Sequence, residues 1–267
     1  MPKKANALIM AASRAGVEDS VAKLQNKSHK CLVEIAGEVM LVRVIQAILD
    51  GGSIGRIFIS IEDEAPLRTV PQLSQWLDAQ VIEVTPSKGN LADSVLAAAE
   101  AIEGLLPLLI TTGDNVLHHG TLMKDFLRQF ERSTSDASVA FTEATVVRRE
   151  APDVKLAYHR LKDGEFSACN LYGLRTENAL RAVKIFESGG QFGKRHIRIL
   201  NAFGILPFIY YKLRITTLGT LLNRIAKNLG VTADLIMLDY PEGPIDVDNP
   251  QFFEIAERML LARQAGN

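Results

Sequence analysis

Short apolar runs recur along the chain, each ending in small or polar residues and followed by a stretch with apolar positions at helical spacing. Ala5 to Ala12, Gly55 to Ile61, Gln80 to Thr85, Leu108 to Leu117 and Ala137 to Ala144 are such runs. They are too short for typical helices, and those without strict alternation are predicted to be strands buried on both faces, as in a parallel sheet. Met40, Val44, Ile45 and Ile48 share one helical face, and an Ala-rich helix is predicted from Asn90 to about Ile102. Strands alternating with helices predict an open α/β fold, whose ligands bind at the carboxyl ends of the strands.

The second half of the chain differs. Lys155 to His159 and Phe166 to Leu174 are expected to form a hairpin turned at Lys162-Asp163-Gly164, with Asn170 free to face a cleft and Thr176 capping a helix from Glu177 to Glu187. Residues 189 to 230 suggest a helical insertion. Within it Lys194, Arg195, His196 and Arg198 make a basic group suited to an anionic acceptor, although a solvated face has the same pattern. Ala202 to Leu213 is apolar, interrupted by Pro207, and fits a packed helix, a dimer surface or a lipid-facing patch. A last amphipathic helix carries Phe252, Ile255, Ala256, Met259 and Leu260.

A length of 267 residues without repeats or a linker favours a single domain, with a nucleotide-binding half over 1–135 and an acceptor half over 136–267. The net charge of -1, with 23% charged residues, offers no general attraction to nucleic acid. Cys31 and Cys169 match neither a disulfide framework nor a zinc motif, so a reducing cytoplasm is expected. The adjacent His118 and His119 lack metal-ligand spacing and are expected to flank a helix start at Gly120 or Thr121. The first apolar run is too short for a signal peptide or a membrane span, which leaves peripheral membrane contact open.

The candidate chemistry centres on Leu108-Leu109-Ile110-Thr111-Thr112-Gly113-Asp114. A buried strand that delivers one carboxylate to its tip suits a hard divalent cation shared with phosphates, or a simple turn cap. Near the C-terminus, Asp246 and Asp248 point to one side of an extended segment, where two carboxylates repel unless a cation, a basic residue or a proton intervenes. Asp248 or Asn249 can also cap the last helix, with Pro250 in its first turn. The small residues Ala11, Ala12, Ser13, Ala15 and Gly16 after the first strand, with Arg14 among them, would let backbone N–H groups approach phosphate; they would equally make a plain turn.

These features together resemble the nucleotidyltransferase superfamily with a GT-A-like fold, nearest its MobA-like branch, which includes molybdenum cofactor guanylyl- and cytidylyltransferases. The resemblance rests on the first strand and loop, Lys30 about twenty residues on, Ile35-Ala36-Gly37-Glu38-Val39-Met40, Pro107 to Leu117 and Ile245 to Pro250. It implies a three-layer α/β/α fold with a mixed, mostly parallel sheet. It also implies that Ala11 to Gly16 with Gly113 cradle a nucleoside triphosphate, that Lys30 neutralises its phosphates, and that Ser87, Asn90 and Ser94 meet the base. Asp114 with Asp248, or Asp246 as alternate, would hold Mg²⁺ or Mn²⁺, and Asn170 would lie near the sugar or acceptor. The first loop departs from the family pattern: Ser13 and Ala15 replace glycines and Val17 stands where an arginine is expected. Either Arg14 compensates or triphosphate binding is weak.

The expected activity is Mg²⁺-dependent transfer of a nucleoside monophosphate from an NTP, CTP or GTP foremost, to a small anionic or hydroxyl acceptor, by a monomer or homodimer. Two alternatives carry different signatures. A degenerate nucleotide-binding scaffold would explain the altered loop, and a glycosyltransferase would show a paired Asp-x-Asp at the central strand, where this chain has Asp114 alone.

Overall fold

The computed structural model describes residues 3–13, 18–183 and 205–266. Its first strand, β1 (Ala5–Met10), shows why the opening run is apolar throughout. Ala5, Ala7 and Ile9 enter one helical layer and Leu8 the other, so both faces are buried. β1 ends at Met10, two residues earlier than its hydrophobicity suggests, because the chain turns into the loop there.

β2 (Glu34–Ile35) and β3 (Glu38–Val39) form a small hairpin around Gly37, whose φ of 80° suits a residue without a Cβ. α1 (Met40–Asp50) follows and buries Met40, Val44, Ile45 and Ile48 as its spacing predicts. Next come β4 (Ile54–Ile61), the short α2 (Ala65–Arg68), α3 (Pro71–Asp78) and β5 (Ile82–Pro86). α4 (Leu91–Ala101) begins at Asn90, whose Oδ1 accepts the Asp93 amide at 2.9 Å, the cap the sequence predicts. The central β6 (Leu108–Thr112) leads to α5 (Gly120–Arg132), β7 (Ala137–Glu143) and α6 (Ala144–Glu150).

A hairpin turned at Lys162-Asp163 forms as expected, but its first strand is β8 (His159–Leu161) rather than Lys155 to His159, and it pairs with the long β9 (Gly164–Leu174). Thr176 does not cap the helix after it. Its hydroxyl donates to Asp136 Oδ1 at 2.6 Å, and the chain makes one 3-10 turn before α7 (Leu180–Val183). α8 (Ile205–Lys212), α9 (Leu218–Asn228), β10 (Ala233–Met237) and α10 (Pro250–Ala265) complete the described elements. Pro207 falls in the first turn of α8, where a missing N–H costs little. α8 and α9 fall within the later part of the expected insertion and are helical as expected, and α9 leads into β10, an edge strand of the main sheet that begins just past it.

The sheet order is β10-β7-β9-β6-β1-β4-β5, with β8 paired to β9. β1, β4, β5 and β6 run parallel, as do β7 and β10, while β9 lies antiparallel between β6 and β7. The architecture is the mixed, mostly parallel α/β sheet the sequence implied. Helices α1 and α5 pack against each other over one face and α4 and α7 cover the other. A further apolar cluster lies under the strand tips, where Val116 and Leu117 meet Ile245, Val247 and the α10 residues Ile255, Ala256 and Leu260.

Candidate active site

β6 ends at Thr112, and Gly113 passes so close to Cys31 that an added Cβ would stand 3.1 Å from the Cys31 Cβ. The close passage leaves Asp114 just beyond the sheet. Its side chain is held from several directions. Thr112 Oγ1 donates to Asp114 Oδ1, Asn115 Nδ2 donates to Thr112 Oγ1, and Lys30 Nζ donates to Asp114 Oδ2 at 2.5 Å.

The C-terminal loop arrives by alternation. Ile245 and Val247 are fully buried, which turns Asp246 and Asp248 toward the opposite side. The Val247 amide donates to the Asp114 carbonyl at 3.1 Å and locks this loop against the strand tip. Carboxylate oxygens of Asp114, Asp246 and Asp248 all lie within 4.8 Å of one another. Lys30 Nζ also donates to Asp248 Oδ1 at 3.1 Å, so one ammonium spans two of the three carboxylates.

The electrostatics follow from this crowding. Burial, then the charges of Asp114 and Asp248, push the Asp246 carboxyl up to about 7, against the opposing pull of Lys30 and Asn170. Burial works against the Lys30 ammonium, yet Asp114 and Asp248 outweigh it and hold its pKa above the ordinary lysine range. Three hard oxygen donors around a space with excess negative charge fit a divalent cation.

Asn170 reaches the cluster through a distortion of β9. Val139 of β7 faces Tyr172 while Phe141 faces Ala168, so β9 spends four residue steps against two on its partner. Inside that bulge Asn170 adopts a φ of 52°, which asparagine tolerates better than most residues. Its Nδ2 donates to Asp246 Oδ2 at 3.0 Å and to Asn115 Oδ1 at 3.3 Å.

A cleft of about 320 Å³ opens beside the cluster. Ala11, Ala12, Ser13, Lys30, Asn90, Ser94, Gly113, Asp114, Asn170, Asp246 and Asp248, all singled out from the sequence, line it. Ser87 does not line it; its amide donates to the Ile61 carbonyl at 2.9 Å. Ser94 Oγ already donates to the Asn90 carbonyl and accepts the Lys88 amide, both at 2.8 Å, so its first task is to shape the entry to α4. The Ser13 amide donates to Glu62 Oε1 at 2.9 Å, so the loop after β1 offers at least one N–H to an anionic oxygen. Arg14, Ala15, Gly16, Lys194 and Arg195 lie outside the described residues.

Sequence reasoning missed Asn115, Lys88 and Asp19. Asn115 is fully buried and ties Thr112, Asp114 and Asn170 together; its position beside Asp114 was the available signal. Lys88 and Asp19 line the cleft. Cys31 and Cys169 are free and buried, and burial raises both thiols to about 12.

Residues 7–215 match the sequence profile of the MobA-like NTP transferase domain. The chain belongs to this family. It is therefore a nucleotidyltransferase, and most of the site lies within the matched span. Among curated proteins none matches the sequence significantly. Similar solved structures include a hypothetical transferase from Thermus thermophilus, at 22% identity and a TM-score of 0.74, with 94% of this chain and 99% of that one covered. A CMP:2-keto-3-deoxy-manno-octonic acid synthetase complexed with CTP aligns at 13% identity and a TM-score of 0.58, covering 97% and 99%. A 4-diphosphocytidyl-2C-methyl-D-erythritol synthase from Anaerococcus prevotii aligns at 11% and 0.58, with the same coverage. At these identities the likeness concerns the fold, which this nucleotidyltransferase shares along nearly its whole length.

Proposed function

We propose that the protein transfers a nucleoside monophosphate from an NTP to a small acceptor phosphate or hydroxyl in a divalent-metal-dependent reaction that releases pyrophosphate. The observation that carries this reading is the convergence of Asp114, Asp246 and Asp248 on one point beside Lys30. An acceptor oxygen attacks the α-phosphorus and forms a new P–O bond. The bond between the α-phosphorus and the bridging oxygen breaks, and pyrophosphate leaves with the electron pair.

Asp114, Asp248 and Asp246 would hold Mg²⁺ or Mn²⁺, which when bound supplies charge neutralisation to the phosphates. Lys30 is poised between two carboxylates and is positioned to turn to a phosphate oxygen once those carboxylates are otherwise engaged. Arg14 and Lys30 would stabilise charge developing in the transition state, which in phosphoryl chemistry is largely electrostatic work. The loop Ala11 to Gly16 with Gly113 would cradle the triphosphate. Asn90, Ser94 and, at greater remove, Ser87 lie at the α4 end expected to meet the base. Asn170, which positions Asp246, faces the acceptor side, where Lys194 and Arg195 would add positive charge for an anionic acceptor.

CTP is the first nucleotide to test, with GTP second, because the similar synthetase was captured with CTP and the similar synthase is named for a cytidyl product. The single-domain division, 1–135 for nucleotide and 136–267 for acceptor, belongs to the same reading, as do a cytoplasmic setting and a monomer or homodimer. Among the described residues no helix is long and apolar enough to cross a membrane.

The test incubates the protein with each NTP and Mg²⁺, follows thermal stabilisation, and then measures pyrophosphate release with pooled phosphorylated metabolites. Stabilisation by one NTP and acceptor-dependent pyrophosphate are expected. Absence of stabilisation by every NTP would overturn the reading.

A further inference from the structure

The carboxylates of Asp114, Asp246 and Asp248 repel one another when charged, and Lys30 sets one positive charge against them. The loop that carries Asp246 and Asp248 must therefore be held against the tip of β6. The Val247 amide, bonded to the Asp114 carbonyl, does this beside the carboxylates. Behind them the same two segments are joined again. His118 Nε2 donates to the Gly243 carbonyl at 2.9 Å, and His119 Nε2 donates to Glu242 Oε1 at 3.1 Å. Arg263 of α10 then reaches both segments at once: its Nη1 and Nη2 donate to the Leu117 carbonyl, each at 3.3 Å, and Nη2 also donates to Glu242 Oε1 at 2.9 Å. Leu117 stands three positions after Asp114, and Glu242 four before Asp246.

We propose that Arg263 is a positioning residue of the metal site, clamping the segment after Asp114 to the segment before Asp246 and so setting the separation of the carboxylates that receive the cation. The inference rests on the divalent-metal reading of the site and adds to it a residue outside the span that matches the family. Arg263 does not line the catalytic cleft, so its influence passes through the two segments it joins.

An arginine suits this task because its planar guanidinium presents several N–H donors in a fixed fork and can serve a carbonyl and a carboxylate together. Burial works against the Glu242 charge, yet the bond from His119, a backbone bond and the Arg263 charge outweigh it and hold the carboxyl below its ordinary range. Glu242 therefore meets Arg263 as a carboxylate, and the bond is charge-assisted. α10 gives the clamp a firm base. Ala256 and Leu260 are buried at helical spacing before Arg263, on the face packed against Val116, Leu117, Ile245 and Val247. Arg263 lies about 20 Å along the axis from Pro250, and helical side chains lean toward the N-terminus, which brings the guanidinium back toward the loops.

Arg43 of α1 is the natural control. It lines the same outer groove as Arg263 and donates to the Ile35 carbonyl at 3.1 Å and the Ala36 carbonyl at 2.8 Å, but it bonds to neither acidic segment. Mn²⁺ titrated into the full chain, followed by loss of the free-ion electron paramagnetic resonance signal, reads the metal site apart from turnover. Arg263→Gln is expected to weaken Mn²⁺ binding about tenfold, the lower end of what loss of a group supporting metal ligands costs, and Arg43→Gln to leave it within about twofold of the parent. Arg263→Lys, which keeps the charge without the fork, should fall between the parent and Arg263→Gln. In the pyrophosphate assay the same loss should appear as a raised Mg²⁺ requirement, with saturating Mg²⁺ returning the Arg263→Gln rate to near the parent's, a recovery that mere loss of folded protein would not show. If Arg263→Gln does not fold, Glu242→Gln removes the charge at the other end of the bond and is read in the same way. Parent-like Mn²⁺ binding by the folded variant, or an equal loss in Arg43→Gln, would overturn the proposal and leave the metal reading intact. A parent that binds no Mn²⁺, alone or with NTP, would overturn the metal reading and the proposal with it.

Discussion

Asp114 and the pair Asp246 and Asp248 meet within a few ångströms, but the two regions are built differently. Asp114 is fixed from its own strand: β6 is hydrogen-bonded on both sides, and Thr112 and Asn115 grip the carboxylate from adjacent positions. The Asp246–Asp248 segment has no ladder of its own. It is positioned by the burial of Ile245 and Val247, by one backbone bond to Asp114 and by the α10 cap that follows. The first region should therefore tolerate loss of neighbouring packing, and the second should not.

The largest effect is expected at the point both regions serve. Asp114→Ala should slow NTP-dependent pyrophosphate release by roughly 10² to 10³, comparable to loss of a preorganised electrostatic group, while leaving the protein folded. A rate within about tenfold of the parent would remove Asp114 from the reaction. Ile245→Ala separates the regions instead. Removing a fully buried side chain from the cluster under the loop should cost about 2 to 5 kcal/mol of stability, read from denaturant midpoints. At temperatures where the variant stays folded it should also weaken the metal dependence of NTP binding, because Asp246 and Asp248 lose their direction. Unchanged metal dependence would mean that the backbone bond alone positions the loop.

The same contrast explains what could be read in the chain. β1, β6, the Asn90 cap and the inward-outward alternation of Ile245 to Asp248 depend on residues a few positions apart, so local pattern reveals them. β10 passed unnoticed because Ala233-Asp234-Leu235-Ile236-Met237 is a half-covered edge strand with neither clean alternation nor a strong apolar run. Thr176 looked like a cap, but its hydroxyl is taken by Asp136, forty positions earlier. The junction of Asn170 with Asn115 was equally hidden, because it depends on a bulge in β9 that appears only when β7 is paired beside it. Candidate acids could be listed from sequence; the device that orients Asp246 could not.

His118 offers a finer probe, because it joins the two regions from beneath. Its Nε2 donates to the Gly243 carbonyl at 2.9 Å, its Nδ1 is buried without a partner among the described residues, and burial lowers its pKa from 6.5 to about 4. The unfolded chain thus takes up this proton at a higher pH than the folded one. The stability contribution is complete above about pH 6.5 and drains away as pH falls toward 4, by up to about 3 kcal/mol. Urea midpoints at pH 7 and 4.5 should fall further for the parent than for His118→Gln, in which the group cannot titrate. Equal falls would mean that the imidazole is solvated in the folded protein.

The smallest expected effect lies at the far end of the C-terminal region. Asn249 Oδ1 accepts the Phe252 amide at 3.0 Å and starts α10 one residue after Asp248, with Pro250 in the first turn. Asn249→Ala should cost about 1 kcal/mol, the usual value of an N-cap. Its use lies in where that loss appears. If α10 anchors the acidic loop, fraying its first turn should weaken metal-dependent NTP binding as well as stability, whereas Asn90→Ala, the corresponding change at α4, should lower stability by a similar amount without altering the metal response. Equal metal responses in the two variants would show that Ile245, Val247 and the bond to Asp114 hold the loop without help from the helix behind it.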